Sequence, residues 1–346
     1  MTVAIFYLIS FSISLVICFI TSFIFQKFNV VDKPDGIRKI HEGEISYGGG
    51  LAIFLSILIS CLVFMDHKDL LSYGIFEIGF ISLAILILGF IDDIKPLPIA
   101  IRLISQILIS WLVILVTDIY IKDLGDLLGF GNIYLGELGI PITIFMVVGM
   151  CNAFNMLDGI DGLVVAVAFS VFTAISVISV FKGLNIALTF IPSVALFTFF
   201  LFNLGLLGKK WKMFLGDSGS MWLGFITAWY LIVLSQGEQM IFSPPVALWM
   251  VMLPLIDALS TFLTRMRQRK PIFSGDRTHI HHIMLDSGIE KWIVIATLFS
   301  SSVLFASLAV LCTLYSVEDS ILFYGFLTIW LFYLLLIKYP LSKEDS

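Results

Sequence analysis

The chain has 346 residues, 59% of them hydrophobic and only 13% charged, with a formal net charge of −5 and a mean hydropathy of +1.05. That balance excludes a soluble globular protein and offers no basic excess for nucleic acid; it points to a polytopic, all-α membrane protein.

Apolar segments follow one another at about 3–25, 47–65, 73–91, 99–117, 138–157, 163–181, 186–207, 218–235, 241–263, 292–315 and 320–337. Each is close to the span of about 20 residues that a hydrocarbon core requires, so eleven transmembrane helices are expected. The first segment is too long for a cleaved signal peptide and lacks its cationic flank; it is read as a retained helix. Of the 20 Lys and Arg residues, 17 fall on one side of such a bundle, leaving Lys68, Lys122 and Lys182 for the other. Positive charge marks the cytoplasmic side, which places the N-terminus in the periplasm and the C-terminus in the cytoplasm. Cys18, Cys61, Cys151 and Cys312 form no metal-type spacing and read as small buried hydrophobes. No repeat or linker interrupts the chain, so residues 1–346 are expected to form one integral membrane domain. Its largest cytoplasmic loop runs over about 264–291, and the outer segment 118–137, with Gly125, Gly129, Gly131 and Gly136, is expected to be a small structured loop.

The polar residues of this apolar chain gather on one side. Asp at a helix centre costs about 2.5–3.5 kcal/mol on insertion scales, so clustered acids at a membrane edge point to a cation, a proton path or a phosphate. Asp92 and Asp93 follow the third segment. The run Asn152-Ala-Phe-Asn155-Met-Leu-Asp158-Gly159-Ile-Asp161-Gly162 joins the fifth and sixth segments, with its polar groups at three-residue spacing. Gly216-Asp217-Ser218-Gly219 opens the eighth, and Arg277-Thr278-His279-Ile280-His281-His282 follows the ninth. Each has a plainer reading as well. Asp92-Asp93 serves equally as a helix end reaching water, the central run as a polar packing cluster, Asp217 as a helix N-cap, and the basic stretch from Arg265 to Arg277 as a membrane-surface patch. The three histidines lack the cysteines or HExxH spacing of a zinc site. Asp257, inside the ninth segment, reads as an interhelical hydrogen-bond partner. Carboxylates beside a basic, histidine-bearing loop suit phosphoryl transfer, in which Mg²⁺ and cationic side chains neutralise the transferring group. An ion-coupled transporter is the rival class, but such sites sit near the bilayer midplane rather than at one face.

At these residues the chain resembles the polyprenyl-phosphate N-acetylhexosamine-1-phosphate transferases. Asp92-Asp93, Asn155-Met-Leu-Asp158-Gly-Ile-Asp161-Gly, Phe214-Leu-Gly-Asp217-Ser-Gly and His279-Ile-His-His look like the motifs of that family, and Arg38-Lys39-Ile-His41 followed by Tyr47-Gly48-Gly49 also fits. The resemblance runs from about Val30 to Leu285. The histidine motif and the basic stretch before it resemble the bacterial branch that takes UDP-GlcNAc; other UDP-HexNAc donors and UDP-MurNAc-pentapeptide remain as alternatives. The resemblance implies transfer of GlcNAc-1-phosphate from UDP-GlcNAc to undecaprenyl phosphate, with release of UMP, at the start of a lipid-linked surface polysaccharide such as lipopolysaccharide O-antigen. It implies Asp217 as the ligand of Mg²⁺, with Mn²⁺ as a substitute, and Asp92, Asp93, Asp158 and Asp161 as catalytic groups. Arg38, His41, Asn155, Arg265, Asp276, Arg277, His279, His281 and His282 would bind substrate, which makes 264–291 a substrate-recognition loop. The expected setting is the bacterial inner membrane. The expected partners are the two substrates and membrane lipid, with a homo-oligomer allowed and no nucleic acid.

Overall fold

The computed structural model describes residues 3–32, 44–64, 74–183, 187–237, 240–270 and 278–335. Those residues form helices α1 (Val3–Lys27), α2 (Gly49–Phe64), α3 (Ile75–Ile94), α4 (Ile99–Thr117), α5 (Gly139–Leu157), α6 (Leu163–Lys182) and α7 (Ala187–Asn203). They continue with α8 (Gly216–Ser235), α9 (Pro244–Met250), α10 (Met252–Arg267), α11 (Ile280–Asp286), α12 (Lys291–Leu314) and α13 (Asp319–Tyr333). Strands β1 (Val31–Asp32) and β2 (Ile45–Ser46) pair antiparallel, Val31 opposite Ser46, and Ser46 also bridges Met213.

Among the described residues, six helices are long and apolar enough to cross a membrane, or seven spans if the bent pair α9–α10 is one. The chain is thus a multi-pass membrane protein. Helix is the form these segments must take, because lipid offers backbone N–H and C=O groups no partner. Buried hydroxyls obey the same constraint: Ser56, Ser110, Thr143, Ser176 and Ser179 each donate to the carbonyl one turn earlier. Outward faces are apolar. Helix α4 exposes Ile104, Leu108, Trp111 and Leu115, a surface suited to acyl chains and not to water.

The helices begin and end near the expected positions, with two differences. Helix α3 runs on to Ile94, so Asp92 and Asp93 lie in its last turn rather than beyond it. The ninth segment is not one straight helix: α9 and α10 meet at an angle of 85°. Pro254 explains the break. It has no N–H to give the carbonyl of Met250, and its ring crowds that carbonyl; Val251 between the two helices takes φ −109° and ψ 24°. The outer segment is structured as expected. Asp123 bridges Tyr134, and Gln236, just past α8, accepts from the N–H groups of Lys122 and Asp123 and donates to the carbonyl of Asp123.

Helix α8 is the centre, buried from Ser218 to Ser235 and packed against α2, α3 and α5. Its neighbours come close enough to exclude a side chain. A Cβ at Gly50 would lie 2.6 Å from Cα of Gly219, one at Gly224 would lie 2.5 Å from the carbonyl oxygen of Met150, and one at Gly89 would collide with the backbone of Ser218. Because the obstacle at Gly89 is backbone, Gly89→Ala should force α3 and α8 apart, at a cost of about 1–3 kcal/mol. Gly79→Ala, on the same helix with nothing within 4 Å of the new methyl, should leave stability unchanged or slightly raised. Thermal unfolding of the two variants in detergent checks this; equal melting temperatures would refute the packing argument.

Candidate active site

The site starts from a helix end. The first N–H groups of any α-helix have no partner within it. In α8 the N–H of Asp217 donates to Oδ1 of Asp93 at 2.7 Å and that of Ser218 to Oδ2 at 3.1 Å. A negative group at this end also complements the helix dipole. Asp217 turns its carboxylate to Asn155 on α5, whose Nδ2 lies 2.7 Å from Oδ1 and 3.0 Å from the hydroxyl of Ser220. Asp92, although next to Asp93, is held elsewhere: Arg102 on α4 donates to Oδ2 at 2.7 Å and the Leu97 N–H to Oδ1 at 2.6 Å. The Asp92 and Asp217 carboxyl groups come within hydrogen-bonding reach of each other.

The turn from α5 to α6 brings two more acids. Gly162 makes the turn possible, with φ +85°, where a side chain would be strained. Its N–H donates to Asn203 at 2.5 Å, and Asn203 donates onward to the carbonyl of Met213 at 2.7 Å. Two hydrogen bonds thus tie this turn to the strand-like segment that leads into α8. Asp158 is partly accessible but enclosed by protein, and that burial raises its pKa well above the usual carboxylate range, helped by the charges of Asp217, Asp161 and Asp93. Asp161 goes the other way. Burial alone would raise it, but Lys291 at 2.8 Å and Lys212 at 3.0 Å hold it below its ordinary value.

The histidine segment is fastened by Asp257, which is an interhelical partner as its place in the sequence implied. Oδ2 meets Nδ1 of His279 at 2.7 Å, while Oδ1 accepts from the Ile280 N–H at 3.1 Å and from the Tyr333 hydroxyl, on α13, at 2.7 Å. His279 and His281 stack nearly parallel with centroids 6.2 Å apart, and His281 fills the space a side chain at Gly159 would need. The four separated motifs therefore meet at one end of the bundle, Asp93 and Asp92 against Asp217, Asp217 against Asn155, and the Asp158–Gly159 turn against His281. His282 lies beside His281, with ring centroids 4.1 Å apart. Arg38, His41, Asp276 and Arg277 lie outside the described residues. Arg265 is not in a loop: it belongs to the last turns of α10 and is buried.

Beside this end lies a cavity of about 390 Å³ between α5, α9, α10 and α13. Its walls are almost wholly carbon, from residues such as Phe145, Met146, Leu255, Leu259 and Phe262, with Asn152, Thr261 and Arg265 among the few polar side chains. Asn152 is held from outside the cavity by Gln106, to which it donates at 2.9 Å.

Among the described residues, no three His, Cys, Asp or Glu side chains form a ready ligand shell for a metal. The oxygen donors of Asp217, Asp92 and Asn155 still suit a hard cation that keeps its waters. Crowding of five acids, with only some of them paired to a base, is the electrostatic condition such a cation relieves. Sequence reasoning missed Arg102, Lys212 and Lys291 as parts of the site, since positive charge on that side read only as a topology signal. It also missed Asn203 and Tyr333, which carry no local pattern.

Residues 75–235 match the family described as Glycosyl transferase family 4. The chain is 32% identical over 283 residues to the undecaprenyl-phosphate alpha-N-acetylglucosaminyl 1-phosphate transferase of Yersinia pestis, covering 81% of this chain and 76% of that protein. To the protein of the same name from Escherichia coli strain K12 it is 32% identical over 288 residues, 83% of this chain and 77% of the other. To that of Pasteurella multocida it is 31% identical over 332 residues, 93% of this chain and 92% of the other.

Asp257 ties three elements together, so its loss should be felt more than that of any one partner. Tyr333→Phe removes a single hydrogen bond to a carboxylate, worth about 1.5–3 kcal/mol. Asp257→Ala removes all three and leaves the buried Ile280 N–H and His279 without that acceptor. Asp257→Ala should melt below Tyr333→Phe, and Tyr333→Phe below the unaltered protein. An Asp257→Ala variant as stable as the parent would refute the anchoring role.

Proposed function

The chain belongs to glycosyl transferase family 4, and from that premise we infer that it transfers GlcNAc-1-phosphate from UDP-GlcNAc to undecaprenyl phosphate, releasing UMP. The observation that carries this reading is the adjacency of two unlike environments. Crowded carboxylates with cationic partners lie at one end of the bundle, and an apolar cavity of about 390 Å³ lies beside them. A polyprenyl phosphate needs both, an anhydrous slot for isoprene units and a charged surface for its head. Relatives from three bacteria carry the name of this activity.

The reaction exchanges one phosphoanhydride bond for another. An oxygen of the lipid phosphate attacks the sugar-linked phosphorus of the donor, the bond to the nucleotide's phosphate breaks, and UMP leaves with the electron pair. The bond from the sugar's anomeric carbon to oxygen is untouched. With a second pKa of about 6, a phosphate monoester is already largely ionised near neutral pH, so direct in-line attack needs no strong base. Asp217 would hold Mg²⁺, which would supply charge neutralisation to the donor diphosphate. Asn155 steers the Asp217 carboxylate, and Arg102 restrains Asp92 where it faces Asp217. Lys212 and Lys291 leave the Asp161 turn with a surplus of positive charge, which suits it to a nucleotide phosphate. His281, on Gly159, closes the same side. Arg265 lies in the wall of the apolar cavity, which brings it to the lipid acceptor as well as to the donor side.

We read α9 and α10 as one broken crossing, and α3 and the shorter apolar helices α2, α7 and α13 as crossings too, which makes eleven, with the N-terminus in the periplasm and the site on the cytoplasmic face of the inner membrane. The product would serve as the first lipid-linked sugar of a surface polysaccharide.

The nucleotide released decides the chemistry. Purified protein given UDP-GlcNAc and undecaprenyl phosphate should form UMP in step with lipid product, and chelation of divalent cations should stop it. Asp217→Asn should lower turnover at least about a hundredfold, since the amide keeps the size but loses the charge a hard cation needs. Stoichiometric UDP would remove the reading. Orientation has its own test in a cysteine-free background. Phe130→Cys, on the exposed outer loop, should react with an impermeant thiol reagent on intact cells, and Lys210→Cys only after lysis. The reverse pattern would invert the topology.

A further inference from the structure

Two adjacent carboxylates, Asp92 and Asp93, point in different directions, and the difference separates their roles. We propose that Asp93 is a positioning residue: supplied by α3, it caps the first turn of α8 and thereby aims Asp217, without itself touching substrate. This rests on the transferase reading above and deepens it.

Both oxygens of Asp93 are committed to backbone, one to the N–H of Asp217 and the other to that of Ser218, at 2.7 and 3.1 Å. The backbone around it is shaped to admit a carboxylate. Gly216 takes φ +73°, and a Cβ there would stand 2.7 Å from Oδ2 of Asp93. One turn earlier on α3, Gly89 lets the two helices close to backbone contact at Ser218, which brings Asp93 level with the free N–H groups. Helix α8 has no cap of its own: Leu215, at its N-cap position, makes no side-chain hydrogen bond. The capping group ordinarily found on the same chain segment therefore comes from a neighbouring helix. Asp92, by contrast, faces Asp217 and is steadied by Arg102 and the Leu97 N–H. The path from Asp93 to the chemistry runs through the backbone: a fixed first turn sets the direction in which the Asp217 side chain leaves it.

A cap and a catalytic carboxylate respond differently to amide replacement. Asn caps helices about as well as Asp, whereas Ala forfeits up to about 2 kcal/mol. Asp93→Ala and Asp93→Asn would be purified in detergent, with Asp92→Asn for comparison. The first readout is hydrogen exchange over residues 215–222 without substrate or metal, which reports opening of that turn; the second is kcat and KM for UDP-GlcNAc. Asp93→Ala should exchange faster at Asp217 and Ser218 and lose about thirtyfold or more in kcat/KM, the kinetic equivalent of a lost cap. Asp93→Asn keeps one of the two acceptors, so it should restore protection at one of these two N–H groups and stay within about tenfold of the parent, while Asp92→Asn should lose activity with exchange unchanged. Removal of a general acid or base costs about 10²–10⁴-fold, so an Asp93→Asn protein that regains this protection and still shows a loss of that size would overturn the proposal. Should Asp93→Ala fail to fold, Asp93→Asn still decides. Absence of UMP formation by the parent protein would remove the transferase reading and leave the exchange comparison standing.

Discussion

A helix enclosed by protein on every side has no lipid to face, so each of its surfaces must be matched by another helix. Helix α8 is under that constraint from Ser218 to Ser235, and the rest of the architecture answers to it. Small residues stand wherever a neighbour crosses: Gly50 against Gly219, Gly89 against Ser218, Gly224 against Met150. Without a hydrophobic drive between helices in lipid, close backbone approach is what binds them. The same closeness has a chemical result. Three helices that touch α8 near its start bring Asp93, Asn155 and the glycine-rich β2–α2 junction to one place. The N–H groups of Gly49 and Gly50 reach the carbonyls of Phe214 and Leu215, and the position of Asp217 follows from how tightly the bundle packs.

The electrostatics divide into two kinds of acid. Asp161 carries two lysines, and Asp92 carries an arginine and a backbone N–H. Each of these has a cationic side chain beside it. Asp158 faces other carboxylates from the enclosed end of α5, and its raised pKa records repulsion and burial together. A site with surplus negative charge at its centre and lysines at its margin is polarised before any ligand arrives. Cations are drawn to the middle and anions to the rim. A metal-bound diphosphate needs that arrangement.

Much of this was legible in the sequence. Long apolar segments dictate helices because lipid permits little else, and helix limits such as Leu163 and Thr117 fell where hydropathy changed. Acids on an otherwise bare apolar chain declared the site, since nothing but function or pairing keeps them there. Asp257 was read as a hydrogen-bond partner from its depth alone. The illegible parts were those with no local pattern. The ninth segment read as one span, and its hydropathy gave no sign of a bend of 85°. Arg102, Lys212 and Lys291 looked like topology charges because their carboxylate partners are distant in sequence. Asp92 and Asp93 are indistinguishable as letters; only the crossing of α3 over the start of α8 turns one toward backbone and the other toward Asp217.

Tyr333 comes from the last helix of the described chain, yet it donates to Asp257, the anchor of His279. The order of synthesis gives this bond a meaning. Every carboxylate of the site enters the membrane before α13 exists, so during translation the acids are present while the histidine segment lacks its final support. A ribosome that stalls or a chain that is clipped before α13 leaves a bundle with its acids in place and its histidine arm loosely held. Completion of this end of the bundle thus waits for α13, and a chain cut before that helix is poorly equipped to spend nucleotide sugar.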